Sequence, residues 1–274
     1  MTLDVLIATM GTAGIGRVAA MRLPEVEGVR YIVSWQIPDD IRMDVPDALV
    51  RDDVVIYRHD DAGVSRNRNY AMSKATADVC LTADDDLLYD AEGLRSVMDV
   101  FRSDDALDVA LFKYAGGSAK RYPDREYDMV RLRKGHFVSE VEIAFRRSSV
   151  SGANVRFNPL IGTGSPTIPT GEGEMFVYTA IRHGLRCRFF PTVVALHPGV
   201  SSGFRTADRP GSLAGPGAMI YMYHKHTWPL RIVVNAWRAK HRCGGGFLQA
   251  LQDMKNGALY ARRFFNPDGT EKSL

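Results

Sequence analysis

Cysteine is scarce in this chain and unpatterned. Cys80, Cys187 and Cys243 are the only three in 274 residues, odd in number, widely spaced and without any Cys-x-x-Cys or Cys/His zinc spacing. That argues against a disulfide framework and a structural zinc module. Cys80 and Cys187 lie in apolar runs, where buried inert thiols are expected, and a reducing cytoplasm suits them. No window approaches the ~20 apolar residues of a membrane span, and no internal repeat is visible. Met1 to Ile7 runs straight into strand-like residues with no basic leader, so no secretory signal is expected. A nucleophilic Ser/His/Asp or Cys/His arrangement is also missing. The net charge is only +3, but it hides an asymmetry: Lys225 to Arg263 carries eight Lys or Arg against the single acid Asp253. Such a basic tail suits an anionic surface. No nucleic-acid motif accompanies it, so no nucleic acid is expected as a partner.

What is present is a βα rhythm. Leu3–Thr9, Val29–Trp35, Val54–Tyr57, Val79–Ala83 and Asp108–Tyr114 read as strands. Helical patterns fall between them, over Val18–Leu23, Ser65–Ala77 with Ser65 as N-cap, and Glu92–Arg102. This alternation predicts an α/β fold, a mostly parallel sheet flanked by helices. Further on, Phe137–Phe145 and Arg188–Leu196 read as strands, Ile161–Gly171 as irregular, and Glu172–His183 as a helix closed by Gly184. A Pro/Gly-rich linker over Arg209–Gly217 then leads into a helical C-terminal region. The expected division is 1–205 and 206–274.

The most informative stretch is Cys80-Leu81-Thr82-Ala83-Asp84-Asp85-Asp86. An apolar strand delivers three adjacent carboxylates to its C-terminal end, where ligands of parallel sheets bind. Adjacent anions repel, and a divalent cation with oxygen ligands answers that repulsion; Mg²⁺ typically takes one or two carboxylates plus substrate phosphates. The competing reading is an acidic helix start at Asp86. Arg66 and Asn67, after the Asp60–Gly63 turn, stand where a helix start can meet phosphate or a sugar hydroxyl. Glu172 and Glu174 open a helix, and a carboxylate there can take a proton from an acceptor hydroxyl; helix-start glutamates are also common for purely electrostatic reasons. His197 closes the last strand, with Ser201 and Ser202 beyond it as possible phosphate contacts. Gly11-Thr12-Ala13-Gly14-Ile15-Gly16 with Tyr70 and Lys74 admits a weaker reading as a short-chain dehydrogenase. The second strand, however, ends in Ser34-Trp35-Gln36 without an acid for a ribose.

In this order the segments resemble a family 2 inverting glycosyltransferase of the GT-A fold, from the N-terminal strand to about Arg205. The closest resemblance is Gly63-Val64-Ser65-Arg66-Asn67-Arg68-Asn69 leading through Ala77-Asp78-Val79-Cys80-Leu81 to the aspartates. It is similar to the pattern of bacterial enzymes that build capsule or other surface polysaccharides. The resemblance implies that Asp86, with Asp84 and His197, holds a divalent metal, Mn²⁺ or Mg²⁺, on the diphosphate of a sugar-nucleotide donor. It places Asp84 and Asp85 by the donor sugar or ribose, Thr9 and Met10 beside the nucleoside, Gln36 and Asp61 near the base, and Arg66, Asn67, Arg68 and Asn69 along the donor. A UDP-sugar is the expected donor and a saccharide or lipid-linked saccharide the expected acceptor. Gly162–Ser165 and the Gly171 loop would form the acceptor wall. One departure stands out: Gly173 occupies the position of the second acid of a Gly-Glu-Glu or Gly-Glu-Asp motif, the usual base. Glu172, ahead of Glu174, is then the expected base; the alternative is a non-catalytic sugar-nucleotide binder. The tail, with Trp228, Leu230, Ile232, Val233, Val234 and Trp237 among Arg231, Arg238 and Lys240, reads either as a helix lying on the inner membrane surface or as one packed on the catalytic domain.

Overall fold

The computed structural model describes residues 1–38, 40–116, 120–130, 138–165, 167–199, 211–241 and 245–272. Phe137, Ser201, Ser202, the expected border at 205/206, Arg209, Arg242 and Cys243 lie outside the described residues.

Strands β1 (Leu3–Met10), β2 (Val29–Gln36), β3 (Val54–His59) and β4 (Val79–Asp84) are joined by helices α1 (Gly11–Ala20) and α2 (Val64–Lys74). Helix α3 (Ala91–Ser103) then leads to β5 (Val109–Gly116), β6 (Tyr127–Asp128) and β7 (Ile143–Arg146). Short α4 (Arg147–Gly152), α5 (Glu172–Arg182) and β8 (Cys187–His197) complete the sheet. Its eight strands run in the order β3-β2-β1-β4-β7-β5-β8-β6. β1 pairs in parallel with both β2 and β4, whereas β7 runs antiparallel between β4 and β5. The chain thus builds outward from β1 to β3 and returns to the other side of β1 for β4. Ligands of open α/β sheets bind at such a reversal, beyond the carboxyl ends of the strands.

Apolar residues on alternate positions feed two cores, as the pleat requires. Val5, Ile7, Val33 and Trp35 pack with Ile15 and Val18 of α1 and Leu94, Val97 and Phe101 of α3. Leu6 and Ile32 face the other layer, with Ala71 of α2, Val150 of α4 and Phe176, Val177 and Ala180 of α5. Phe176 is fully buried and stacks on Phe157 with centroids 4.6 Å apart. Burying such a side chain is worth roughly 1.5–3 kcal/mol, and it fixes the direction in which α5 presents its N-terminus.

Several expectations shift locally. The glycine motif after β1 is the body of α1, not a loop in front of it. A Cβ at Gly14 would collide with the Thr9 hydroxyl and stand 3.2 Å from Asp85 Oδ2, so the glycine serves close packing over these two residues. Tyr70 stacks on His59, and Lys74 Nζ lies 4.9 Å from the Tyr70 ring, an arrangement of packing rather than of dehydrogenase chemistry. Helix α2 is capped by Gly63; Ser65, one residue inside, donates its hydroxyl to the Ile161 carbonyl. The acidic helix start lies at Asp90, which caps α3 by accepting from Gly93 N–H, and not at Asp86. In place of a strand from Phe137, residues Glu140–Glu142 form a 3-10 turn held by a Ser139/Glu142 capping box, and β7 begins at Ile143.

The C-terminal region is three helices, α6 (Ala214–Tyr223), α7 (Trp228–Ala239) and α8 (Gly246–Phe264). Part of the expected linker is therefore helical: Pro216 falls in the first turn of α6, where proline is tolerated. Gly217 and Gly257 let α6 and α8 touch backbone to backbone, since a Cβ on either would strike the main chain of Met254 or Ala214. Ala214, Ala218, Met219 and Phe265 share a core with Ile161, Ile168, Met175 and Tyr178, so α6 and the end of α8 pack on α5 and its preceding loop, while Ile232, Ala236 and Ala239 of α7 pack with Ala250, Met254 and Ala258 of α8. The expected surface helix is interrupted between Tyr223 and Trp228. No described helix is long and apolar enough to cross a membrane. Cys80 and Cys187 are buried free thiols.

Candidate active site

The carboxyl ends of β1 and β4 place Thr9, Met10 and Asp84, Asp85 and Asp86 at the reversal point of the sheet. Each aspartate has a different partner. Asp85 is locked: Arg17 of α1 grips it twice, Nε to Oδ1 at 2.9 Å and Nη2 to Oδ2 at 2.8 Å, and the Thr9 hydroxyl donates to Oδ2 at 2.6 Å. Such forked pairs are geometrically specific and strong.

Asp84 accepts from Arg68 Nη2 at 2.6 Å, and Arg68 Nη1 reaches Glu172 Oε1 at 3.2 Å. One guanidinium thus joins the end of β4 to the start of α5. Its side chain is 4% exposed and Glu172's is 8%, while Asp84's, at 40%, opens to the rim. Arg68 Nε is buried and has no hydrogen-bond partner among the described residues. Burial and repulsion from Glu140 push the Glu172 carboxyl up to about 8, with Arg68 opposing.

Asp86 is the freest of the three. No hydrogen-bond donor reaches it among the described residues, and His197 Nε2 stands 3.7 Å from its Oδ1. Partial burial raises its carboxyl above the ordinary range; His197 opposes that shift and Asp84 and Asp85 add to it. His197, buried at the end of β8, accepts at Nδ1 from Gly199 N–H, which leaves Nε2 to carry the proton toward Asp86.

The expected metal cage is not preformed: among the described residues, no three His, Cys, Asp or Glu stand together to hold an ion. The reason is that Arg68 draws Asp84 aside and His197 offers Asp86 an N–H. What remains is an underpartnered anion, Asp86, at the mouth of the site. That donor chemistry fits a cation whose remaining ligands come from elsewhere.

The other expected donor residues divide by exposure. Met10 is exposed, and Arg66 and Asp61 stand at the rim as a loose 3.4 Å pair. Gln36, Asn67 and Asn69 are engaged with backbone. Gln36 donates to the Gly63 carbonyl, and Asn67 donates to the Thr9 carbonyl at 2.9 Å. Asn69 clamps Phe157, donating to its carbonyl at 2.7 Å and accepting from its N–H at 2.9 Å. These side chains shape the floor beneath the reversal point.

At the start of α5 the structure adds residues that the sequence reading passed over. Glu140, in the turn before β7, accepts from Gly173 N–H at 3.0 Å. Beside it, buried Glu142 pairs with Lys120 and accepts from the Tyr122 hydroxyl at 2.7 Å. Glu174 is pushed up to about 8 by burial, against the pull of Lys120. The Ser-x-x-Glu spacing of Ser139 to Glu142 was a visible capping-box signal for this turn; nothing local marked Arg17.

Residues 45–157 match the model of glycosyl transferase family 2. The matched segment holds α2 and the aspartates, and it supports reading the chain as a family 2 glycosyltransferase. No curated protein matches the chain. Among solved structures, the crystal structure of S. aureus TarS is similar at 13% identity and a TM-score of 0.57, covering 90% of this chain and 45% of that one. This chain thus spans less than half of that protein. S. aureus TarS 1-349 in complex with UDP is 13% identical with a TM-score of 0.55, covering 97% of this chain and 93% of that chain. The same fragment in complex with UDP-GlcNAc is 11% identical with a TM-score of 0.56. At these identities the likeness establishes the fold, which is GT-A.

Proposed function

We propose that this protein transfers a sugar, with inversion, from a nucleotide-diphospho-sugar to a hydroxyl of a saccharide acceptor, free or lipid-linked, in the making of a surface polysaccharide or glycolipid. The observation that carries the reading is Arg68. It holds Asp84, at the strand end where the donor belongs, to Glu172, at the helix start where the acceptor belongs, and it does so at the reversal point of the sheet. UDP-sugars are the favoured donors, because similar folds have been solved with UDP and UDP-GlcNAc.

Met10, Asp61 and Arg66 line the open rim on the nucleoside side. A divalent cation held by Asp86 beside His197, and shared with the donor diphosphate, would neutralise charge on the leaving group. The His197 Nε2–H, 3.7 Å from Asp86 Oδ1, would donate to an oxygen of a diphosphate bound there. Asp85, fixed by Arg17 and Thr9, keeps the loop after β4 in shape. A carboxylate beside the start of α5 takes the proton of the attacking hydroxyl, an effect typically worth ~10²–10⁴ in rate.

The reading extends to location. We place the protein in the cytoplasm, against the inner membrane surface, through α7. Leu230, Val233, Val234 and Trp237 recur at helical spacing and are all exposed, opposite buried Ile232, Ala236 and Ala239. Arg231 and Arg238 flank them, a distribution that suits anionic lipid.

The test is release of UDP from a panel of UDP-sugars with Mn²⁺ and saccharide acceptors, alongside thermal melting with UDP plus Mn²⁺. Turnover that is lost in Asp86→Ala is expected. A protein that melts higher with UDP yet turns over no donor would favour the second reading, a non-catalytic binder, which Gly173 at the usual base position motivates.

A further inference from the structure

The position where the resembled family carries its second acid is glycine here, and the structure shows what the missing side chain admits. A Cβ built on Gly173 would stand 3.1 Å from Glu140 Oε1 and 3.1 Å from Glu140 N. The Glu140 carboxylate therefore lies against the spot from which an acid at 173 would project. Gly173 N–H donates to Oε1 at 3.0 Å, and the second oxygen, Oε2, meets no donor among the described residues.

The placement of Glu140 is enforced from several sides. The Thr82 hydroxyl, two residues before Asp84, donates to the Glu140 carbonyl and so ties the turn to β4. The Ser139/Glu142 capping box fixes the turn itself, and Glu142 is anchored by Lys120 and Tyr122. Glu140 acts electrostatically on Arg68, Glu172 and Glu174, so it belongs to the same cluster. It also remains partly open to solvent, whereas Glu172 is buried and engaged by Arg68.

We propose that Glu140, delivered by the turn before β7, is the catalytic base of this site, standing in for the acid replaced by Gly173. The proposal rests on the transferase reading. In the step, the acceptor O–H proton passes to Glu140 Oε2 while the hydroxyl oxygen forms its bond to the anomeric carbon. The carbon–oxygen bond to the donor diphosphate breaks, and its electron pair leaves with the nucleoside diphosphate. Glu172 and Glu174, both pushed up to about 8, hold their protons at neutral pH and serve the cluster rather than the step.

The experiment compares the full-length protein with Glu140→Gln, Glu174→Gln and the double variant Glu140→Ala/Gly173→Asp. UDP release is measured over a UDP-sugar panel with methyl glycosides as acceptors, and melting is measured with UDP plus Mn²⁺. Glutamine retains an acceptor for Gly173 N–H, so Glu140→Gln keeps the local fold. Expected for Glu140→Gln is a fall in kcat of ~10²-fold or more, an unchanged donor KM and an unchanged melting shift with UDP. Glu174→Gln should stay within a few-fold of the unsubstituted protein, and the double variant should recover much of the rate by restoring an acid at 173. Glu140→Gln at more than a tenth of the normal kcat, or a loss centred on Glu174→Gln, overturns the assignment while leaving the transferase reading intact. If the unsubstituted protein turns over no donor, the transferase reading falls and the assignment falls with it.

Discussion

Replacing Arg68 with methionine tests the link between the two halves of the site. Methionine approximates the volume of the arginine stem, so the change is mainly one of charge and hydrogen bonds. Removing one partner of a fully buried ion pair costs about 3–5 kcal/mol. Here Glu172, pushed up to about 8, is mostly protonated at pH 7, so the ion pair that is lost is Arg68–Asp84, and the Asp84 side chain is 40% exposed. Water thus recovers part of the loss at Asp84, and about 2 kcal/mol is expected at pH 7, with a melting temperature lower by ~4–8 °C. The pH dependence carries a sign. Glu172, at about 8 in the folded protein against an ordinary 4.5, contributes stability that is fully present below 4.5 and lost as pH rises through about 8. Arg68 limits that loss by favouring the ionised form, so without Arg68 the carboxyl titrates later and the penalty runs further. The deficit of Arg68→Met should therefore be level from pH 5 to 7 and larger at pH 9. Urea unfolding at pH 5, 7 and 9, read as midpoint with unchanged slope, measures it. A deficit below ~0.5 kcal/mol at pH 7, or one that shrinks between pH 7 and 9, refutes the bridge.

Two further outcomes follow from the same structure. Glu174→Gln removes a group held at about 8 by burial; the loss of stability that its ionisation imposes, at most ~5 kcal/mol, should vanish. The variant should match the unsubstituted protein at pH 4.5 and melt higher at pH 8.5, and a gain that does not grow with pH contradicts this. On α7, Leu230→Glu/Trp237→Glu alters side chains that are 71% and 59% exposed, so the fold should survive while flotation with phosphatidylglycerol vesicles falls several-fold. Equal flotation of both proteins, or none by either, removes the membrane assignment.

Much of the sheet could be read along the chain, because parallel strands buried on both faces appear as unbroken apolar runs. Val5 to Ala8 and Val79 to Leu81 are such runs, and both proved to lie in adjacent strands. That Asp84, Asp85 and Asp86 would sit at a strand end followed from the same pattern. Their individual roles did not, since each is decided by a group far away in sequence. Arg17 reaches Asp85 across 68 positions, and Arg68 reaches Glu172 across 104. Before folding, three neighbouring aspartates look equivalent; afterwards one is clamped, one is bridged and one faces the opening.

Gly173 shows the limit most sharply. Read along the chain, it is a deficit, an acid missing from a helix start. In space the place of the absent side chain is taken by Glu140, against the buried backbone N–H of Gly173, and the first turn of a helix attracts whatever anion the fold can bring to it. The turn at Glu140 brings one. It went unnoticed because apolar residues around Val138 to Phe145 imitate a strand, while the short-range bonds between Ser139 and Glu142 bend the chain into a turn first. The two departures compensate each other. A side chain at 173 would crowd Glu140, and without Glu140 the N–H of 173 would lose its carboxylate partner. Substitution at either position alone should therefore harm the site more than exchanging both together.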